Sequence, residues 1–101
     1  MEKPKVVWSR RASIQFENAQ NFIASYDELA ADDFIDEALS LIDGLLDNPC
    51  IGRKVPEYDL ESIRERICKA FRIIYRVGDE NEIEILAVYY DGQLLPNYPH
   101  L

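Results

Sequence analysis

The stretch from Ser62 to Tyr90 constrains the fold more than any other part of the sequence. Its apolar and polar residues alternate with a period of two, which is typical of β-strands that bury one face. Residues 78–81 read Gly-Asp-Glu-Asn, a composition typical of a hairpin turn. We therefore predict three strands at about 62–69, 71–77 and 82–90, with the last two as antiparallel neighbours.

Arginines occur in two pairs on the first two of these strands. Arg64 and Arg66 lie on one strand, and Arg72 and Arg76 lie on the next. Residues two or four apart in a strand share a face, so each pair occupies a single face. If helices cover the face that includes Phe71, all four arginines are expected to project from the other, open face.

Two interpretations of this arginine face remain open. Arginine binds phosphate or carboxylate groups in bidentate pairs, so the face can serve as an anion-binding surface. Alternatively, the arginines form cross-strand pairs with Glu65, Glu82 or Glu84, which is common on open sheet faces.

Two tyrosines end the last strand and point to opposite sides of it. If Ile83 and Ile85 face the helices, strict alternation places Tyr89 in the core and Tyr90 on the open face. There Tyr90 either stacks on or hydrogen-bonds to a partner beside the arginines, or packs as an ordinary edge residue.

Two helices are predicted ahead of these strands. Apolar residues recur every three or four positions from Ala12 to Tyr26, with Phe22 widening the stripe, so a first helix is expected at about 10–26 with Ser9 as its N-cap. A second helix is expected from 29–31 to 47, because Asn48-Pro49 ends it.

The complete order is β-α-α-β-β-β, because residues 5–8 form a further strand candidate. Residues 50–61 read as a loop, and a turn followed by a loose end (97–101) is expected after the last strand. This order predicts a single α+β domain over residues 1–101, in which a two-helix antiparallel hairpin packs on one face of a small antiparallel sheet.

Charge narrows the choice of function. The 101-residue chain has a net charge of −8, which argues against non-specific nucleic-acid binding as its main activity. Between residues 9 and 48 there are two basic and nine acidic residues, so most of the excess acid lies in the helical segment. The acidic residues of the second helix have the spacing of a solvated helix face rather than of a metal site.

Several other classes of protein are disfavoured. No apolar run approaches the roughly 18 residues that span a bilayer, and the N-terminus lacks the apolar region of a signal peptide, so a cytoplasmic protein without membrane contact is expected. The sequence has no Gly-rich phosphate loop and no metal-ligand spacing, and its single histidine is His100. We predict no cofactor and no metal, and we expect Cys50 and Cys68 to be free thiols.

The chain resembles the RelE/ParE superfamily of toxins from bacterial type II toxin–antitoxin (plasmid stabilisation) systems. The resemblance covers about residues 5–96 and rests on several segments taken in order. The matching segments are 6–12 (VVWSRRA), 48–49 (NP), 52–57 (GRKVPE), 63–65 (IRE), 71–77 (FRIIYRV), 83–88 (IEILAV) and 94–96 (LLP).

The resemblance implies a toxin that a cognate antitoxin neutralises by wrapping around it. RelE-like members cleave messenger RNA in the ribosome with basic residues and an acid/base residue on the open sheet face. By position, Arg64, Arg66, Arg72 and Tyr90 would then be the catalytic residues. ParE-like members instead bind and inhibit DNA gyrase.

The sequence favours the ParE side of this resemblance. Many RelE-like members carry further arginines after the position of Tyr90, where this chain has Asp-Gly-Gln at 91–93. We therefore predict a toxin that binds a protein target such as DNA gyrase through a face containing Arg64, Arg66, Arg72, Arg76 and Tyr90, without sequence-specific DNA binding. The alternatives are a ribosome-dependent endoribonuclease of the RelE type and a non-toxic interaction domain of the same fold.

Overall fold

A computed structural model describes residues 5–97 of the chain. These residues form two layers, a helical hairpin and a sheet. The elements are β1 (Val6–Trp8), α1 (Arg10–Ala24), α2 (Glu28–Asp47), β2 (Arg53–Lys54), β3 (Ile63–Cys68), β4 (Phe71–Val77) and β5 (Ile83–Tyr90), with a 3-10 turn at Asp79–Asn81. The predicted α+β class and the order of its main elements are confirmed. The end of the predicted loose tail lies outside the described residues.

The sheet differs from the predicted antiparallel sheet in two details. Its strand order is β1-β5-β4-β3-β2, and β1 pairs with β5 in parallel while the other neighbours are antiparallel. No hairpin connects β1 to β5, so no local signal sets their relative direction. The additional strand β2 lies in the segment predicted as a loop, because two residues are too short to show a period.

The helices begin at side-chain caps and bury narrow apolar stripes. The hydroxyl oxygen of Ser9 accepts a hydrogen bond from the backbone N–H of Ala12, as predicted for an N-cap, and Asp27 caps α2 in the same way. Phe22 and Tyr26 belong to the predicted stripe of the first helix but remain 56% and 68% exposed.

Within the described residues no helix combines the length and the apolar composition that a membrane crossing needs.

The main core lies between the helical hairpin and the sheet. A row of aromatic rings runs through it from Trp8 to Phe16, Phe34 and Phe71, with successive ring centroids 5.2, 5.4 and 5.2 Å apart. Such tilted pairs at short distance are the favourable arrangement for aromatic rings. The row fixes α1 and α2 to the sheet at β1 and at the start of β4.

A β-bulge in β5 changes which side chains face the helices. Ile74 of β4 pairs with Ala87 and Tyr75 pairs with Ile85, so Leu86 is an extra residue in β5. Ile83 and Ile85 lie in the main core before the bulge, and Val88 lies in it after the bulge. The period of two is therefore shifted by one residue at Leu86.

The predicted placement of Tyr89 and Tyr90 is wrong because of this bulge. Tyr89 lies on the sheet face away from the helices, where it is 7% exposed. Tyr90 lies on the helical side and contacts Phe71 in an edge-to-face arrangement. Strict alternation from Ile83 gives the opposite result, because it does not allow for the extra residue.

The sheet face away from the helices is not open but carries a second, smaller core. Side chains from three strands meet there with side chains from the 55–61 segment and from the C-terminal segment. Its buried members are Val55, Ile63, Ile74, Leu86, Ala87 and Tyr89, with Tyr58, Leu60 and Leu95 packed against them. The hydroxyl of Tyr58 donates a hydrogen bond to the carbonyl of Pro96 at 2.5 Å, so the two covering segments are tied to each other.

The loop between α2 and β2 is fixed by one buried hydroxyl group. The hydroxyl of Tyr75 donates to the carbonyl of Pro49 at 2.7 Å and accepts from the backbone N–H of Gly52 at 3.0 Å. A side chain at position 52 would collide with Glu65 and Tyr75. A Cβ atom there would lie 2.5 Å from the carbonyl oxygen of Glu65 and 2.6 Å from the Tyr75 hydroxyl.

The two cysteines have different environments. Cys50 is exposed in the loop before β2, while Cys68 is buried at the end of β3, and both are free thiols. The Cys68 thiol donates to a carboxylate oxygen of Glu37 at 3.1 Å. Burial, together with this carboxylate, raises the pKa of Cys68 to about 12.

We expect the substitution Gly52→Ala to lower the free energy of unfolding by about 1–3 kcal/mol, because backbone and a buried ring must move to admit the methyl group. Urea denaturation measures the change. Gly44→Ala is the matched control, since a Cβ at this exposed helical position meets nothing within 4 Å. It is expected to stabilise the protein by about 0.5–1 kcal/mol. Equal effects of the two substitutions would contradict the packing argument.

Candidate target-binding face

The four arginines do not share one face of the sheet, so that expectation is wrong. In the antiparallel pairing of β3 with β4, Arg64 lies opposite Tyr75 and Arg66 lies opposite Ile73. Directly opposed residues share a face, and Tyr75 and Ile73 belong to the core under the helices. Arg64 and Arg66 therefore lie on the helical side. Arg72 of β4 lies on the opposite face.

The two-residue turn at Lys69 and Ala70 is the reason for this arrangement. It pairs Cys68 directly with Phe71, so the residues of β3 that share a face with Cys68 are also those that share a face with Phe71. The periodicity of each strand is visible in the sequence, but the relative phase of the two strands depends on the length of the turn.

Arg64 and Arg66 have different roles on the helical side. The Nη1 atom of Arg64 donates to the carbonyl of Gly52 at 2.9 Å, and its Nη2 atom donates to Glu61 at 2.8 Å. Arg64 thus holds the loop before β2. Arg66 is half-buried, and its Nε atom is buried without a hydrogen-bond partner within residues 5–97.

Arg72 is the centre of an ion-pair cluster on the other face. Its Nε atom donates to Oε1 of Glu65 at 2.6 Å, and its Nη1 and Nη2 atoms donate to the two carboxylate oxygens of Glu57 at 2.7 and 2.8 Å. Arg53 donates to the second oxygen of Glu65 at 2.6 Å. All three nitrogen atoms of the Arg72 guanidinium group are therefore engaged by carboxylates.

The centre of this cluster, Arg72 with Glu65, is buried, whereas Glu57 and Arg53 are partly exposed to solvent. Arg72 is 6% exposed and Glu65 is 2% exposed, and buried charges are stable only when they are paired. The bidentate hydrogen bonds from Arg72 lower the pKa of Glu57 to about 2, and the same hydrogen bonds raise the pKa of Arg72 above its ordinary value. An anionic ligand would have to displace Glu57 or Glu65 to reach this guanidinium group.

Arg76 is the last of the four arginines that the sequence singles out. It pairs with Glu84 on the neighbouring strand, and its side chain is about half exposed. The cross-strand interpretation of the arginines is therefore confirmed for Arg72 with Glu65 and for Arg76 with Glu84. The sequence does not predict that Glu57 and Arg53 belong to this cluster, because they lie in a segment that has no period. The only sequence signal for Glu57 is that this carboxylate directly follows Pro56.

The structure thus brings Arg72 and Arg76 together on one face and separates them from Arg64, Arg66 and Tyr90. Exposed side chains remain around the second core on the Arg72 face. They include Arg53, Ile67, Arg76 and the carboxylate of Glu57. Residues 5–97 contain no group of three or more His, Cys, Asp or Glu side chains arranged to hold a metal ion.

Solved structures of bacterial toxins share this fold. The chromosomal ParDE toxin–antitoxin system from P. aeruginosa matches with a TM-score of 0.69 at 16% sequence identity, covering 87% of this chain and 96% of the other. The YoeB dimer from Staphylococcus aureus matches with a TM-score of 0.61 at 20% identity, over 88% of this chain and 98% of the other.

A third structure, a YoeB/ParE toxin from Agrobacterium tumefaciens, matches with a TM-score of 0.60 at 21% identity, over 85% of this chain and 96% of the other. At these identities the likeness establishes the fold. No protein of curated function matches the sequence significantly.

The family is established by the sequence itself. Residues 6–95 match the family model described as ParE toxin of type II toxin-antitoxin system, parDE. The match covers most of the chain, and it includes both helices and all five described strands. The protein belongs to the ParE toxin family, as the resemblance to the RelE/ParE superfamily predicted, and it is a toxin of a type II toxin–antitoxin system.

The substitution Glu57→Gln tests the ion-pair cluster. At pH 7 it is expected to lower the free energy of unfolding by about 0.5–2 kcal/mol, because the charged half of a bidentate pair is lost while solvent screens part of the interaction at this 43% exposed side chain. The pKa of Glu57 is lowered from 4.5 to about 2 on folding, so its contribution is complete above about pH 4.5 and is lost as the pH falls towards 2. The difference between wild type and variant should therefore shrink over this range.

Urea denaturation at a series of pH values measures this difference. Glu61→Gln is the control, because Glu61 forms an ion pair with Arg64 but its side chain is 80% exposed. Exposed pairs contribute little, so less than about 0.5 kcal/mol is expected from this variant. A Glu57→Gln effect that does not vary between pH 7 and pH 2 would contradict the assigned role of the carboxylate.

Proposed function

We propose that this protein acts by binding and inhibiting DNA gyrase and that a cognate antitoxin neutralises it. Membership of the ParE toxin family supports the antitoxin partner. The preference for a protein target over RNA cleavage rests on one observation, the complete engagement of Arg72 by Glu57 and Glu65.

Cleavage of RNA requires positive groups that meet the charge developing on the scissile phosphate. In this chain Arg72 already holds two carboxylates, while Arg64 and Arg66 lie on the helical side of the sheet. Tyr90 lies on that side as well, and residues 91–93 add no positive charge. The residues expected from RNA-cleaving relatives therefore do not form one cationic site.

The face around Arg72 has the composition of a protein-binding surface. The exposed Ile67 lies opposite Arg72 at one end of this face, Arg53 lies beside Glu65, and Arg76 lies opposite Ile63 at the other end, so the face combines an apolar side chain with exposed arginines. Arginine and apolar anchors are enriched at the centres of protein interfaces. The net charge of −8 also disfavours the phosphate-rich surface of a ribosome as the target.

A supercoiling assay with purified gyrase tests the proposal. The wild-type protein is expected to inhibit supercoiling at micromolar concentration or below. The double variant Ile67→Ser/Arg76→Ala is expected to raise the inhibitory concentration by at least about tenfold, because it removes the apolar anchor and one exposed cation from the same face. Leu39→Ser is the control, since Leu39 is 45% exposed on α2 in the other layer.

Each other outcome has a defined meaning. Unimpaired supercoiling at micromolar protein would rule out gyrase as the target. Cleaved messenger RNA in a translating extract, mapped by primer extension, would instead assign the ribosome-dependent activity. Normal growth after strong expression without an antitoxin, together with neither activity, would identify a non-toxic interaction domain.

A further inference from the structure

The sequence contains two Asp-Gly pairs, and the structure places them in different surroundings. Asp43-Gly44 lies within α2, whereas Asp91-Gly92 lies in the turn after β5. Aspartate before glycine isomerises readily, because glycine has no side chain to shield its amide nitrogen from the neighbouring carboxyl group. Both pairs are exposed, and a Cβ atom on either glycine would meet nothing within 4 Å. Exposure and free space therefore do not distinguish the two pairs.

Isomerisation of an Asp-Gly pair is a dehydration followed by a hydrolysis, so it needs no reagent other than water. The amide nitrogen of the glycine attacks the side-chain carboxyl carbon of the aspartic acid. A C–N bond forms, and the carboxyl OH leaves as water together with the amide proton. Water then opens the resulting succinimide ring at either carbonyl carbon. One opening restores aspartate, and the other gives isoaspartate, whose main chain runs through the former side chain.

In the turn after β5, both reacting groups are available. A hydrogen bond of 3.0 Å from the backbone N–H of Gln93 to the carbonyl of Tyr90 closes the turn, and Gly92 has a φ of +94°. Glycine adopts this left-handed conformation readily. Within residues 5–97 the amide of Gly92 donates no hydrogen bond, and the carboxylate of Asp91 forms neither a hydrogen bond nor an ion pair. The peptide group between them can therefore rotate without the loss of a backbone hydrogen bond.

In α2, the corresponding groups are held by the helix. The amide of Gly44 donates to the carbonyl four residues before it, as throughout an α-helix. The carbonyl of Gly44 accepts from the backbone N–H of Asn48 at 3.1 Å. Attack by the Gly44 nitrogen on Asp43 thus requires the helix to open locally, and the buried neighbours Ile42 and Leu45 oppose that opening.

We propose that Asp91-Gly92 is a site of spontaneous isoaspartate formation and that this modification loosens the C-terminal segment from the second core. Leu95 packs against that core, and the carbonyl of Pro96 accepts the hydrogen bond from Tyr58. Isoaspartate adds one CH2 group to the main chain at position 91. The hydrogen-bonded turn fits the shorter main chain, so the extra group shifts Leu95 and Pro96 relative to their partners.

Incubation of the folded, full-length protein at neutral pH and physiological temperature tests the inference. After several weeks, electron-transfer fragmentation of proteolytic peptides distinguishes isoaspartate from aspartate at each position. Isoaspartate is expected to be about tenfold or more abundant at position 91 than at position 43, because reaction within α2 requires the helix to open first. An unincubated sample corrects for isoaspartate that forms during digestion.

Incubation in concentrated guanidinium chloride separates the effect of the structure from that of the sequence. In the unfolded chain both Asp-Gly pairs are equally free, so their rates are expected to agree within about threefold. Asp91→Glu should abolish the modification at position 91, because glutamate would have to form a six-membered ring, which closes far more slowly. Gly44→Ala is the control variant and should leave the modification at position 91 unchanged.

Equal amounts of isoaspartate at positions 91 and 43 of the folded protein would overturn the inference, as would its absence from position 91. Urea denaturation tests the loosening of the C-terminal segment. Incubated wild type is expected to unfold at a lower urea concentration than the incubated Asp91→Glu variant, relative to fresh samples of each. Equal shifts, with isoaspartate present at position 91, would contradict the loosening. These readouts do not depend on the proposed target, which the supercoiling assay tests with fresh protein.

Discussion

The buried guanidinium group of Arg72 joins four parts of the structure that are separate in the sequence. It lies on β4, binds Glu65 of β3 and Glu57 of the 55–61 segment, and reaches Arg53 of β2 through Glu65. A buried arginine needs this full set of partners, because an unpaired charge in the interior is costly. The 55–61 segment is therefore held on the sheet, and the second core forms beneath it.

The same interaction links fold to function. A free arginine in this position would be suited to binding phosphate, whereas an arginine held by two carboxylates is part of the scaffold. The face therefore presents its exposed side chains around Arg72, whose guanidinium group is already paired with carboxylates. Protein recognition is compatible with such a face, because a rigid surface with a few exposed anchors loses little entropy on binding.

Much of the fold was predictable because the signals that specify it lie within short stretches of the sequence. Phe71–Val77 has a clear period of two, and the cap at Ser9 and the stop at Asn48-Pro49 are short-range signals. The wrong predictions all concern which face of the sheet a side chain occupies relative to other side chains. The turn at Lys69 and Ala70 sets the phase between two strands, and the extra residue Leu86 shifts the phase within one strand. Neither is visible in the alternation of a single strand.

The candidate site was predictable to the extent that its members lie on strands. The strand pattern predicts Glu65 as a partner for arginine. Glu57 comes from a segment without a pattern, and its position depends on long-range packing. Phe22 shows that a residue can fit the sequence pattern and still not be buried. It continues the apolar period of α1 and yet remains exposed, because the sheet does not cover that part of the helix. Periodicity indicates which residues can be buried, but the shape of the opposing layer decides which of them are.

The contrast between the two cysteines has a practical consequence. A thiol with a pKa of about 12 is almost entirely protonated at neutral pH, and burial keeps reagents away from Cys68 as well. Cys50 is exposed, and its backbone carbonyl lies 3.4 Å from a guanidinium nitrogen of Arg64 in the loop that Tyr75 holds. A maleimide dye added to the unmodified protein will therefore attach at Cys50 alone. It will report on the order of that loop without any engineered residue.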